Sequence, residues 1–142
     1  MTTEQNKAIA RRFFEALGAN DQAALNELLA PEFVAHHSGT PGPLNRAALL
    51  QGISLISAAF SDNYYAIEDQ IAEGDRVTTR VTWQATHTGD FQGYPPSGKQ
   101  IEVGGIAIER HKEGKIVERW LNYDQLGVMQ QLGLIPPPQA SR

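Results

Sequence analysis

The 142-residue sequence contains no cysteine, so neither a disulfide nor a thiolate-held zinc can support its fold, and its redox compartment leaves no trace. No apolar run approaches the roughly 18 residues that a membrane-spanning helix requires. No basic segment leads into a short apolar one, as a secretory leader would. Positive charge is not in excess: 12 Lys plus Arg against 16 Asp plus Glu leave a net charge of −4. Such a field draws in neither nucleic acid nor an anionic membrane surface. Also missing are an H-x-H or HExxH pair for a catalytic metal, a glycine loop to cradle phosphate, and a G-x-S-x-G elbow for a nucleophilic serine. These absences leave a cytoplasmic protein whose partner is a small molecule or another protein. With 41% hydrophobic residues, one core suffices for a chain of this length.

Hydrophobic periodicity divides the chain in two. Thr2 and Thr3 are candidate N-caps, Gln5 completes a capping box with Thr2, and Ile9, Phe13 and Leu17 recur at helical spacing. A helix over residues 4–17, stopped by Gly18, follows. Asn20 or Asp21 caps a second, short helix that ends before Pro31. A short strand at 33–37, a Gly/Pro turn at 38–43 and a third helix over 45–60, ended by Ser61-Asp62-Asn63, come next. From Tyr64 the period falls to two. Four strands are expected at 64–72, 76–88, 99–111 and 115–123, joined largely by hairpins. A last helix over 125–132 precedes a Pro-rich tail at 136–142, which leaves one domain over 1–135. The order predicts an α+β fold, a curved and mostly antiparallel sheet with its helices on one face. Gly104-Gly105 in the third long strand suggests a bulge or close approach there. Periodicity alone does not separate a cone with a pocket from a filled core.

Among chemistry-bearing residues, Asp124 ends a strand among Trp120, Tyr123 and Leu126, an apolar setting that would raise a carboxyl pKa and suit proton transfer. It also directly precedes the last helix, where it would serve as N-cap, and the two roles are compatible. His87 shares the apolar face of its strand with Trp83. It is a candidate to orient a ligand oxygen, or a core histidine satisfied by the backbone. His36 and His37 are adjacent in an extended segment, so only one of them faces a cavity. Their geometry disfavours a shared metal. His111, at a hairpin tip, is expected in solvent.

The second half carries more specific patterns: Ala85-Thr86-His87-Thr88-Gly89, Phe91-Gln92-Gly93-Tyr94-Pro95-Pro96-Ser97-Gly98-Lys99, Gly114-Lys115-Ile116-Val117-Glu118-Arg119-Trp120, and Asp124-Gln125-Leu126-Gly127-Val128-Met129-Gln130-Gln131-Leu132-Gly133. Together they resemble the SnoaL-like polyketide cyclase family of the NTF2-like superfamily. The resemblance implies a cone-shaped pocket for a hydrophobic small molecule, a homodimer through the outer sheet face, and intramolecular aldol chemistry without metal or organic cofactor. It assigns the proton-transferring aspartate to Asp124 and a helper to His87, with Trp83, Trp120, His36, Phe13 and Asn122 expected at the substrate. One departure stands out: where the family carries Gln and His two residues apart, this sequence has Gly105 and Ala107. An enolate oxygen would then need another donor, such as His87, Trp83 or Asn122. Two further readings share the fold. One is a non-catalytic cone that holds an apolar ligand; the other is an epoxide hydrolase, whose Asp and Arg flanking a water cannot be placed in this sequence.

Overall fold

The computed structural model describes residues 1–137, so the expected tail lies outside the described residues from position 138 on. Three helices enter first: α1 (Thr3–Ala19), α2 (Gln22–Leu28) and, after strands β1 (Leu29–His37) and β2 (Leu44–Asn45), α3 (Arg46–Ala59). The chain then runs through β3 (Phe60–Glu73), β4 (Arg76–His87), β5 (Gln100–Lys112) and β6 (Lys115–Tyr123) into α4 (Gln125–Gln131). The first two caps fall among the candidates the sequence offers. Thr2 accepts from the Gln5 N–H at 3.0 Å while its own N–H donates to Gln5 Oε1 at 2.8 Å, closing the capping box. Asp21 and Asn45 cap α2 and α3 more simply, each accepting one bond, from the Ala24 and Ala48 N–H at 3.1 and 2.8 Å.

Several boundaries differ from expectation: β1 starts at Leu29 rather than 33, running through Pro31, and the short β2 follows the Gly/Pro turn where only a helix start was expected. Helix α1 passes through Gly18 and ends at Asn20, which takes the left-handed conformation at φ 50°. Gly18 serves another purpose: a Cβ there would stand 3.0 Å from the Asn63 carbonyl, so its missing side chain lets α1 lie against β3. Residues 61–63, expected to end the third helix, already belong to β3. That strand is bulged between Ser61 and Tyr64, which is why its start does not alternate cleanly.

The six strands form one sheet in the order β2-β1-β6-β5-β4-β3. Every pairing is antiparallel except β1 with β6, where His36 lies beside Trp120 and His37 beside Leu121. The helices and their apolar faces cover one side. Near the α1–α2 hairpin Phe13, Leu25, Leu29, Phe33 and Ile116 form a closed cluster, and Phe60, Trp83, Ile101 and Val128 form a second toward α4. Pairing of β4 with β5 continues without a shift through Gly104 and Gly105. Gly105 is therefore no bulge but a close approach, since a Cβ would meet Tyr123 Cβ at 3.1 Å.

His111 is a further departure. Rather than sitting in solvent it is 3% exposed, with both ring nitrogens unpartnered among the described residues. Burial pushes its imidazole down to about 4, against a small upward pull from Asp75. Native His111 is thus neutral where the unfolded chain, near its ordinary 6.5, takes up a proton. Its stabilising contribution is complete above that value and declines as pH falls toward about 4. His111→Leu should reduce the loss of stability between neutral and mildly acid pH by roughly 1–2 kcal/mol, read as the difference between urea denaturation of variant and wild type. A second expectation concerns Gly52 inside α3, where a Cβ meets no atom within 4 Å. Gly52→Ala should raise stability by about 0.5–1 kcal/mol, measured by the same denaturation.

Candidate active site

Alternation along the central strands decides what faces the helices. Val81 and Trp83 of β4, Val103 and Gly105 of β5, and Leu121 and Tyr123 of β6 all point to the covered side. Because Gly105 carries no side chain and Ala107 beside it only a methyl, the sheet does not fill the space beneath α3. What remains is a cavity of about 620 Å³, within the range of small-molecule sites. Phe14 and Leu17 of α1 and Leu49, Ile53 and Ile56 of α3 close it from above. Exposed lining residues Thr40, Leu55, Asp90 and Gln92 mark its open side.

Several polar groups interrupt this apolar surface, and Asn63 is among those that are firmly held. The bulge in β3 turns Asn63 inward, where its Oδ1 accepts from Trp83 Nε1 at 2.9 Å while its Nδ2 donates to the Phe60 carbonyl at 2.7 Å. Trp83 in turn stacks on Tyr65 at 6.1 Å between ring centres and 5° between planes. The two rings make a flat aromatic wall. Burial pushes the Tyr65 phenol well above its usual range, with Arg119 pulling it down, so it stays a hydroxyl.

Arg119 is 2% exposed yet lines the cavity. Its guanidinium carbon lies 4.8 Å from the Phe13 ring centre and 5.5 Å from that of Phe14. Nε donates to Glu109 Oε2 at 3.1 Å. Burial raises Glu109 to about 7, opposed by the charge and hydrogen bond of Arg119. Burial likewise depresses Arg119, opposed by Glu109. His37, also at the cavity, has a buried Nε2 with no partner. Desolvation, then the charge of Arg119, push it down to about 4, so it is neutral at pH 7.

The structure scatters the residues expected from sequence. Trp83 lines the cavity. Phe13 is fully buried beneath Arg119, and its neighbour Phe14 reaches the cavity instead. Trp120, His36 and Asn122 lie on the opposite, outer face, because Leu121, Tyr123 and His37 between them point inward. There His36 stacks on Trp120 at 5.5 Å and bonds Glu118 at 2.8 Å. The strict alternation within the His36-His37 pair thus holds, with His37 the inward member. His87 is 2% exposed and outside the lining; its Nδ1 accepts from the Ser97 N–H at 3.3 Å, leaving Nε2 buried and unpartnered. Its ring packs on Phe60 at 5.4 Å and Phe91 at 6.3 Å.

Asp124 does not stand in the apolar setting expected for it: its side chain is exposed. Oδ1 accepts from the Gly127 N–H at 2.8 Å, which makes it the cap of α4. The backbone ties it to the rim of the cavity all the same. Asp124 follows Tyr123, and its N–H donates to the Gly104 carbonyl at 3.1 Å, with Tyr123 and Gly104 both in the lining.

Arg119 and Glu109 escape a sequence reading because of a register shift. Counting back from Lys112 opposite Lys115 would oppose Glu109 to Glu118. The shift between Arg110 and His111 instead opposes Glu109 to Arg119 and Arg110 to Glu118. Charge complementarity across the Glu113-Gly114 turn was the available signal. No group of three or more His, Asp or Glu side chains converges as a metal-ligand set among the described residues.

Comparison with known proteins agrees with this architecture. The structure of AclR, a proposed hydroxylase from Streptomyces galilaeus, superposes with a TM-score of 0.89 at 25% identity, covering 97% of this chain and 87% of that one. IdmH, a proposed polyketide cyclase from Streptomyces antibioticus, gives 0.83 at 32% identity, covering 91% and 99%. The curated aklanonic acid methyl ester cyclase DauD of Streptomyces sp. (strain C5) is 29% identical over 131 residues, 88% of this chain and 80% of that relative. The fold is the α+β, NTF2-like type expected. A family model for SnoaL-like polyketide cyclases matches residues 7–132, and the chain belongs to that family.

Proposed function

We propose that this protein catalyses cofactor-independent acid/base chemistry, an aldol cyclisation or an isomerisation, on a hydrophobic polyketide-like carbonyl substrate. The observation that carries this reading is the cavity, apolar and aromatic-walled, with a handful of fixed polar groups. A proton between two carbonyl groups is acidic enough for a carboxylate when the enolate is stabilised and water kept out. In the cyclisation Asp124, at the rim, takes that proton. The enolate carbon bonds to a second carbonyl carbon, whose π electrons move to its oxygen, and Asp124 returns the proton to the new alkoxide. The cap bond to Gly127 engages one carboxylate oxygen. His87 acts by position: it ties the segment around Ser97 to β4 and supports Phe91 in the cavity wall.

Aklanonic acid methyl ester, named in the relative DauD, is the first substrate to supply. Asp124→Asn should lower turnover about 100-fold or more while leaving ligand affinity nearly unchanged. Equal turnover by variant and wild type would remove Asp124 from the chemistry. The second reading, a binding module, is favoured by the exposed, cap-engaged carboxylate; retained binding of β-dicarbonyl esters with no conversion by the wild type would establish it.

A homodimer through the outer sheet face belongs to the same reading. Ile71, Ile106 and Ile108 are exposed there at 65%, 49% and 36%, in register with Thr78, Arg80 and Trp120 on adjacent strands. Arg76, Arg80, Arg110 and Glu118 give this face both signs of charge, which a twofold axis can pair with itself. Ile108→Lys should convert the dimer to a monomer in sedimentation at micromolar concentration. A wild type that sediments as a monomer would refute the interface.

A further inference from the structure

Arg119 is a buried cation at a cavity whose lining is largely apolar. Its Nε is used by Glu109, whereas neither Nη has an acceptor among the described residues, although the residue lines the cavity. A guanidinium carries five N–H donors in a planar fork, and leaving them unpaired in a desolvated place is costly. Glu109 does not cancel it well. Its Oε1 is buried and unpartnered, and its burial favours the neutral acid. On the neighbouring strand His37 presents the same situation on a smaller scale, an unpartnered buried Nε2 at the same cavity. Ala35, the strand partner of Arg119 on β1, and Ala107 on β5 are too small to cover the guanidinium. Two nitrogen-bearing side chains thus line one cavity, and among the described residues neither the Arg119 Nη atoms nor His37 Nε2 have a hydrogen-bond partner from the chain.

We infer that Arg119, with His37 beside it, forms an anion subsite at the floor of the cavity, which takes the enolate or phenolate oxygen of a flat, otherwise apolar ligand whose rings lie along Trp83 and Tyr65. The planar fork of Arg119 supplies charge and one or two N–H donors. A neutral His37 in its Nε2–H tautomer adds a donor without adding charge. Arg119 lies on β6, which pairs with the β5 segment that carries Gly105 and Ala107, and His37 lies on β1 just beyond it, so the space those small residues leave open leads toward the subsite. The inference rests on the proposed function only in assuming that the cavity holds a hydrophobic carbonyl or phenolic ligand. It requires no turnover.

The test uses the full chain with 2-hydroxyanthraquinone, whose absorption moves to longer wavelength when its hydroxyl ionises, and unsubstituted anthraquinone as control. Bound to the wild type, the hydroxyl should ionise at a pH lower than in free solution by about one unit or more. The double variant Glu109→Gln/Arg119→Met keeps the volume and removes both charges. It should bind the unsubstituted ring within about threefold of the wild type and lose most of the shift, and Arg119→Lys should keep part of it. Failure of either ring to bind the wild type, a shift of zero or of opposite sign, or a shift preserved in a folded double variant would overturn the inference. The wild-type titration decides even where a variant does not fold. Turnover of the ester without the shift removes the subsite and leaves the acid/base reading standing; the shift without turnover does the reverse.

Discussion

A guanidinium buried between two phenyl rings and one carboxylate ties together every layer of this molecule. Arg119 on β6 meets Glu109 on β5 directly across the strand pair and lies over Phe13 and Phe14 of α1. One side chain therefore joins the sheet, the first helix and the cavity. A single member of such a pair cannot be lost cheaply, because the other is left charged in an apolar surround. Replacing both by apolar groups would often stabilise a fold. That a cation is kept beneath a ligand-sized cavity is consistent with a use beyond stability.

The contrast between the two carboxylates follows from where each strand ends. Glu109 lies in mid-strand, fully covered, and burial drives it toward the neutral acid. Asp124 stands one residue past the end of β6, where the backbone has just turned into α4 and solvent reaches the side chain. Neighbouring aromatics in sequence are a poor guide at such a point. Trp120 is on the other face of the sheet and Leu126 is itself 55% exposed, so the apolar setting read from the local sequence does not exist in space.

Local signals were largely readable. The Thr2–Gln5 box, the cap at Asp21, the start of α3 at Asn45 and the two-residue period after Tyr64 translate directly into elements, since each depends on interactions within a few residues. Face assignments were readable only where no bulge intervened. On β4 the odd positions Val77, Val81, Trp83 and His87 are buried as alternation requires. On β6 a register shift next to the hairpin leaves both Ile116 and Val117 buried and obscures the side that Arg119 takes. The cavity itself depends on contacts between α1, α3 and strands far apart in the chain, and no periodicity encodes it. His111 shows the same limit: a hairpin tip suggests water, but what covers the tip is distant in sequence.

The bulges of β3 have an effect outside the cavity. This strand is the outer edge of the sheet, fourteen residues long, and a flat edge of that length offers a row of unpaired backbone groups to any similar strand. Two register shifts break the row, between Ser61 and Tyr64 and between Ile67 and Asp69. Asp62, Glu68, Asp69 and Glu73 line it with negative charge. Two copies brought edge to edge would repel and could not hold register, and the opposite edge, β2, has only two residues. The same irregularity that turns Asn63 toward Trp83 therefore also guards this edge of the sheet against strand-to-strand growth into a fibre.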